Sequence, residues 1–512
     1  ITESHDVLNV SLSPDAEMLN ETIVVGYGVQ KKSDLTGAIS SIKSEDLTNR
    51  TVTSAEMAIA GKTSGVQMFS SSAAPGASPS IRVRGVSSNG SSDPLYVVDG
   101  TIVNSIADIN PADIESLEIL KDGASAAIYG ARAGNGVVLI TTRKGTGDGR
   151  IQYEFQYTIQ NLAKKPDLMN AAEYKQYYLE KKQWTESKFA ADWDGVTDTY
   201  WPDAVTESGL MMKHSLSFSQ AYDKGNIYIA LSYLNNDGML YGESDKFSRL
   251  TTMINGTWNF KKWLQITTNN NVSYTTSRSS FSPTEYGTPL GGMLQMDPLT
   301  PVVYESVESM PALIKNVYEN PQIYGELFKD KNGHWFAPSL FYEGDSTNPL
   351  IMIAASNSKT QRFTLNGTTA INLMPVKGLT VTSRFGYRIV SGQTYSVTED
   401  YYLKSTSYRN YASVNGSMQG PLYYQWENFA NYSRTFGKND FTAMVGMSYS
   451  QNRTFSISGS YSGTQNGTFG FEQDDPNYLY WAYATADANK TLSGAEAIYT
   501  RNLSYYGRLN WS

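Results

Sequence analysis

From residue 150 onward the chain alternates apolar and polar residues with a period of two. Tyr153, Phe155, Tyr157 and Ile159 interleave with Gln152, Glu154, Gln156, Thr158 and Gln160. Leu216 and Phe218 stand against Ser215, Ser217 and Ser219, and Ile227, Ile229, Leu231 and Tyr233 repeat the pattern. Leu250, Thr252, Ile254, Gly256, Trp258 and Phe260 oppose Arg249, Thr251, Met253, Asn255, Thr257 and Asn259, and residues 264–274 follow suit. Further runs cover 363–373, 379–389, 423–436, 441–449 and 503–511. Successive side chains of a strand point to opposite faces, so these runs predict about ten strands, many longer than globular sheets use. Their connections alternate in length. Those at 223–225, 261–262, 374–377 and 437–439 are tight, while 161–212, 235–246, 278–360, 395–420 and 452–498 are long. Short turns at one end and long loops at the other are the pattern of a transmembrane β-barrel, with its apolar face to lipid and its Gln/Asn/Ser/Thr face to a wet lumen. A soluble sandwich would bury the apolar face against a second sheet and gives no reason for that alternation.

Composition narrows the alternatives. No run of about 18 apolar residues predicts a membrane-spanning helix, which does not bear on a barrel. The formal net charge of −8, without a basic run, argues against nucleic acid as a partner. There is no cysteine, and the three histidines, His5, His214 and His334, lie far apart, so neither a disulfide framework nor a histidine metal site is expected. Thirty-six Tyr, nine Trp and 18 Phe suit a barrel, and also a secreted carbohydrate-binding β-protein.

Residues 81–144 have another texture: short β-rich runs at 81–83, 95–98 and 137–142 between Gly, Pro, Asn and Asp punctuation. Pro111 behind Asn110, with Asp113 and Glu115 following, predicts one helix in between. A second short helix is expected at 54–59, a strand at 65–69 and a loop at 70–80. In RVRG (82–85) the alternation sends Arg82 and Arg84 to the face opposite Ile81 and Val83, where they want carboxylates or a polar interface. Asp99, Asp113, Glu115 and Glu118 are available. GARAGNG (130–136) is read as a tight turn before a strand. It lacks the Lys-Ser/Thr ending of a phosphate cradle. The apolar run 22–25, flanked by Gly26 and Gly28, suits either a strand of the next domain or an added strand for a partner's sheet. Thus a small α+β domain precedes a large membrane all-β barrel.

Several blocks carry a resemblance: ETIVVGYGVQKKSDLTGAISSI (21–42), AGKTSGVQM (60–68), IRVRG (81–85), DPLYVVDG (93–100) and NPADIESLEILKDGASAAIYGARAGNGVVLITTRKG (110–145). HSLSFS (214–219) and LSYLNNDGML (231–240) match more weakly. In these the chain resembles the SusC/RagA-type TonB-dependent outer-membrane transporters of Bacteroidetes. The resemblance implies a multi-pass barrel of about 22 strands in the full protein, with residues 149–512 its first part and the C-terminal strands absent. Residues 1–20 would end an N-terminal carboxypeptidase-regulatory-like domain, 21–34 would hold the TonB box and linker, and 35–148 would be the plug inside the lumen. Glu21, Thr22, Ile23, Val24, Val25, Gly26 and Tyr27 would couple to TonB, itself energised by ExbB and ExbD. Arg82, Arg84, Asp99 and Glu118 would dock the plug to the wall.

The resemblance further implies energy-coupled import of a large nutrient, an oligosaccharide or alternatively an oligopeptide, beneath a SusD-like surface lipoprotein lid. It allows a dimer of transporter–lid pairs. Sugars present apolar faces and hydroxyls, so Trp335, Phe336, Tyr342, Tyr480 and Trp481 in the long loops are candidate cargo contacts. Belt or loop packing is the plainer role of such aromatics. The acidic stretches ADWDGVTDTY (191–200) and EQDDPN (472–477) would at most hold Ca²⁺ loosely, and no cofactor is expected. A glycoside hydrolase would need two placed carboxylates at a cleft, which the loops do not suggest. A passive porin is disfavoured by a folded plug.

Overall fold

The structure, a computed structural model, describes the chain apart from residues 1–21, 26–27, 32–38, 49–51, 71, 73, 86–91, 123–126, 279–287, 342–346, 438, 463–489, 495–496 and 512. The suggested end of an upstream domain at 1–20 lies outside the described residues.

A short hairpin comes first, β1 (Thr22–Val25) with β2 (Gly28–Lys31). The small domain follows: β3 (Ile39–Lys43), β4 (Val66–Phe69), β5 (Ser80–Val83), β6 (Leu95–Val98), β7 (Thr101–Val103), β8 (Ile114–Leu120) and β9 (Val137–Thr142). Five of these form a mixed sheet in the order β3-β8-β9-β6-β7, and β4 and β5 make a separate hairpin. The helix expected after Asn110 is a single 3-10 turn, Pro111–Asp113, capped by the Asn110 side chain. The next residues are β8. The sequence IESLEIL offers a start signal but no helical apolar stripe, and a strand with neighbours on both sides buries both its faces. Ile114, Leu117, Ile119 and Leu120 are accordingly fully buried. The second expected helix is present as Ala55–Ala58, with Ser54 accepting from the Met57 amide.

The wall strands are β10 (Arg150–Gln160), β11 (Gly209–Tyr222), β12 (Gly225–Asn236), β13 (Phe247–Lys261) and β14 (Leu264–Arg278). After two loop strands, β15 (Val303–Tyr304) and β16 (Trp335–Phe336), come β17 (Ser356–Val376) and β18 (Leu379–Thr398). Beyond the loop hairpin β19 (Tyr401–Lys404) and β20 (Ser407–Arg409) lie β21 (Ser413–Gln419), β22 (Leu422–Phe436), β23 (Asn439–Thr454), β24 (Ser456–Ser462), β25 (Lys490–Gly494) and β26 (Ile498–Trp511). They form one thirteen-stranded antiparallel sheet. Because β21 runs into β22, β23 into β24 and β25 into β26, these thirteen segments make ten passes, as the alternation predicts. The short turns at 223–224, 262–263 and 377–378 are two residues long. Outward residues such as Leu231, Ile254, Phe385 and Trp426 are exposed in a band, while their neighbours Ala230, Met253 and Gln425 are buried. Several strands run past the alternating stretches. β17 begins at Ser356, in a segment polar on both faces, and β18 ends at Thr398, and the two continue their pairing toward the long-loop end.

The long loops are not slack. They fold into helices Ala171–Glu180, Glu186–Asp192, Trp201–Val205, Pro289–Gln295, Ala312–Glu319 and Pro349–Ala355, with apolar cores of their own. Asp297 ties two of them. Its backbone carbonyl accepts from Trp201 Nε1 at 2.7 Å, and its side chain accepts from Ser339 and Thr300.

Leu117 is fully buried in the larger core of the plug, so Leu117→Ala should cost about 2–5 kcal/mol. Amide exchange at Val138–Ile140 in the whole receptor should then accelerate at least about thirtyfold; unchanged protection would show that the plug sheet does not depend on this strand.

Candidate functional site

The small domain sits against the inner, polar face of the wall. Its most intimate contact is the β6–β7 hairpin. Asp99-Gly100 forms its turn with left-handed φ values of 48° and 88°, the conformation that favours an Asx-Gly pair in a two-residue hairpin. Gly100 has no side chain because a Cβ there would run into the Arg384 guanidinium, and on the wall Gly386 stands bare beneath Thr101. With both backbones this close, Gln425 Nε2 donates to Gly100 O at 2.7 Å and Ile102 N donates to Gln425 Oε1 at 3.2 Å. Thr101 Oγ1 meets Thr368 Oγ1 at 2.5 Å. Arg384 is held by Glu427, with Nε and Nη2 at 2.7 and 2.6 Å from the same oxygen.

A second group of contacts lies on β11 to β14. Asn255 Nδ2 donates to Thr142 Oγ1 and to Arg143 O, both at 2.8 Å. Arg249 donates to two carbonyls, Ala107 O and Thr53 O, and so joins two separate plug segments to one wall residue. Those same segments are tied inside the plug by Glu56, which accepts from Ser105 Oγ at 3.0 Å and Ile106 N at 2.9 Å. Burial pushes the Glu56 carboxyl up, and these bonds pull it back down. Asn271 and Asn110 add bonds to Asp108 O and Ser215. Tyr228 OH donates to Asp113 at 2.8 Å. Burial raises the Asp113 carboxyl to about 6, against the pull of Tyr228, Lys213, Arg143 and Arg249 around it. Between these polar contacts one apolar seat remains: Tyr228, Ala230 and Met253 of the wall complete the plug's own core.

The expected docking residues stand differently. Arg82 lies over the Phe69 ring at 4.5 Å, within the β4–β5 hairpin, and Arg84 is exposed at the end of that hairpin with a φ of 58°. Among the described residues, then, the Arg82 guanidinium stacks on Phe69 within the plug and Arg84 is exposed. Asp99 accepts from Thr142 N and Oγ1 at 3.0 and 2.6 Å, so it reaches the wall only through the Thr142–Asn255 bond. Glu118 is buried on β8, between β3 and β9. Sequence reasoning missed Arg249, Asn255, Thr368, Gly386 and Gln425. The DG turn and the inward parity of those wall positions were the available signals.

Of the candidate cargo contacts, Phe336 is buried in a loop core with Trp201, Met293 and Leu350. Trp335 is half-buried, edge-on to Tyr318 at 5.6 Å and beneath the Lys329 amine at 4.5 Å. Tyr342, Tyr480 and Trp481 lie outside the described residues. Of the coupling segment, Thr22, Ile23, Val24 and Val25 form β1, whereas Glu21, Gly26 and Tyr27 lie outside them too. In the acidic loop, Asp194 accepts from the Val196 and Thr197 amides and Asp198 from the Ala171 amide, so those carboxylates serve the loop itself. Among the described residues no three acidic or histidine side chains converge.

A membrane wall with two-residue turns, long loops and a separately folded domain docked on its lumen face defines a plugged outer-membrane barrel. Comparison with known proteins agrees. Residues 31–137 match the TonB-dependent Receptor Plug Domain. Over 99% of its length the chain is 28% identical to TonB-dependent receptor SusC of Bacteroides thetaiotaomicron, covering 48% of that relative. It is 29% identical over 87% of its length to TonB-dependent receptor P39 of Formosa agariphila, covering 40% of it. The chain thus spans less than half the length of these curated relatives. The fold is that of the RagAB peptide importer in its open-open state, with a TM-score of 0.78 at 23% identity, over 96% of this chain and 55% of that one. The chain carries a TonB-dependent receptor plug domain, is similar along nearly its whole length to a SusC-type TonB-dependent receptor, and has the fold of an outer-membrane β-barrel transporter.

Two outcomes follow. Any side chain at Gly386 displaces Thr101, so Gly386→Val should loosen the hairpin and give the reconstituted receptor a raised basal conductance. An unchanged trace would mean that the hairpin is not part of the seal. Separately, the Asp113 carboxyl has its docked pKa raised from 3.8 to about 6. The proton is held more tightly in the docked state, so plug stability is fullest below about pH 4 and falls as pH rises through 6. Asp113→Asn should flatten that slope in melts of the receptor followed from pH 4 to 7.

Proposed function

We propose that this chain is the coupling and gating part of an energy-driven importer. The full receptor would carry a large nutrient, an oligosaccharide derived from a glycan, across the outer membrane. The observation that carries this reading is the plug: a folded unit seated in the lumen by hydrogen bonds from small polar side chains and backbone, without a covalent tie among the described residues. Such a seat closes a pore at rest and can be released by pulling, since each bond contributes only about 1 kcal/mol net and water can replace it.

The pull would enter through β1. Among the described residues it pairs with β2 along one edge, which would leave the other edge for strand addition by TonB, energised by ExbB and ExbD. Residues Glu21 to Tyr27 would make up that coupling segment. Cargo would arrive at the long-loop end, where Leu313, Tyr318, Ile323 and Tyr408 are exposed apolar side chains above the wall. A SusD-like surface lipoprotein would cap this end as a lid, and two transporter–lid pairs can assemble as a dimer. A curated relative of the chain is SusC, and the RagAB importer with the same fold carries peptides. Oligopeptide is therefore the second reading for the cargo.

The test is deletion of Thr22–Val25 in the full-length receptor, with surface binding and uptake of labelled glycans and peptides measured in parallel. Binding should persist while uptake falls to background. Uptake at the normal rate would refute energy coupling through this segment and favour a passive pore.

A further inference from the structure

Two arginines on the lumen face of the wall lack a counter-charge. Arg388 of β18 is 6% exposed. Its guanidinium lies over the Tyr423 ring at 5.9 Å, and its Nε is buried without a hydrogen-bond partner. Arg362 of β17 is half-buried, and its Nε is in the same condition. Among the described residues neither guanidinium forms an ion pair or a hydrogen bond. The register sets them on one stretch of wall. Arg388 stands between Asn366 and Tyr423, and Arg362 precedes Asn366 on β17, toward the long loops. Their like charges are close enough to repel. Thr364, between them on β17, also has an unpartnered hydroxyl. The carboxylate of the adjoining strand β22, Glu427, is already taken by Arg384. Burying a cation is costly unless it is paired, so two bare guanidinium groups side by side imply a missing anion.

The plug brings a third guanidinium to the same place. Arg132, exposed on the plug, hydrogen-bonds the Tyr423 hydroxyl. That hydroxyl donates in turn to Gln425 Oε1 at 2.8 Å, the oxygen that also receives Ile102 N of the plug hairpin. Tyr423 thus stands between a wall cation and a plug cation, one bond away from the hairpin seat. An arginine presents its donors in a planar fork that fits a carboxylate or sulfate edge-on. With its face over the Tyr423 ring, Arg388 keeps that edge for a ligand.

We infer that Arg362 and Arg388 of the wall, with Arg132 of the plug, form a site for an oxyanion, a carboxylate or sulfate group, which bridges the two bodies and latches the hairpin seat. An anion shared in this way is held while plug and wall are together and let go when they part. Its source is a free inorganic anion or an acidic group on the cargo, and the chemistry at the guanidinium groups is the same for both. The site does not rest on energy coupling.

The test uses the purified full-length receptor at constant ionic strength. Calorimetric titration with sodium sulfate probes the free anion, and titration with digalacturonate, beside neutral galactobiose, probes an acidic cargo group. Sulfate or digalacturonate should bind and raise the melting temperature, the latter more tightly than galactobiose. Arg388→Gln and Arg132→Gln should each raise the Kd of the bound anion by about tenfold or more, since each removes a charge-assisted hydrogen bond. Because Arg388→Gln also removes a bare buried charge, the melting temperature without anion should hold or rise, which distinguishes a lost anion from a damaged fold. Arg434→Gln, on the exposed short-turn end of β22, should leave the Kd unchanged. Binding of sulfate alone identifies a latch filled by free anion, and binding of digalacturonate alone identifies the cargo as the source. Binding of neither overturns the site, as does a Kd that Arg388→Gln leaves unchanged. A Kd that Arg132→Gln leaves unchanged overturns the bridge to the plug. No uptake is read here, so a failed site leaves the importer reading intact, and uptake that ignores Thr22–Val25 leaves the site intact.

Discussion

Hydrocarbon offers no hydrogen bonds, and everything in this molecule follows from that. A strand that crosses it must pair on both edges, so the wall is a continuous antiparallel ladder in which one register error would turn every lipid-facing residue inward. The ladder fixes the face of each residue, and the alternation then makes the lumen face polar wherever the outer face is apolar. A domain placed in such a lumen meets serines, threonines, asparagines and arginines. It can only be seated by hydrogen bonds, and its own backbone has to come close enough to make them. Gly100 and Gly386 meet that requirement at the tip of the β6–β7 hairpin.

The seat is consequently composed of many small terms. Gln425 reads backbone at Gly100 and Ile102, Asn255 reads Thr142 and Arg143, and Arg249 spans from Thr53 to Ala107. None of these is a direct ion pair between plug and wall. Two buried carboxylates of the plug, Glu56 and Asp113, are solvated by hydroxyls and amides instead. Arg384, the wall cation nearest the hairpin tip, is bonded by Glu427 on the next strand. Charges paired within one body do not lose their partners when the bodies separate, which keeps the separation from costing a bare buried charge.

Much of this was legible before any coordinates. The two-residue period placed the passes, and the tight connections placed the short end. Three things were not legible, each for a physical reason. Asn110-Pro111 is a good helix start whatever follows it, and only the tertiary sheet decides that Ile114 continues as a strand. Two cations on one strand face, Arg82 and Arg84, ask for partners that an alternation pattern cannot name; here Phe69 takes one and the other is exposed. The wall's own docking residues were hidden by their ordinariness. Every inward position of a barrel is polar, and nothing local distinguishes Gln425, which touches the plug, from an inward Gln that touches water. The loops were hidden likewise, since Phe336 reads as an exposed platform until the helices around it are seen to close a core.

The one apolar part of the seat acts by a different rule. When a polar contact between plug and wall opens, water takes up both halves, and the net change is small. Tyr228, Ala230 and Met253 have no such substitute, because exposing them costs in proportion to area and water offers nothing in return. A plug displaced from a purely polar lumen would have many near-equivalent ways to settle back, since one inward hydroxyl is much like the next. Three apolar residues clustered on two neighbouring strands break that degeneracy. They make the original register the lowest in energy, so the same wall that allows the plug to leave also determines where it returns.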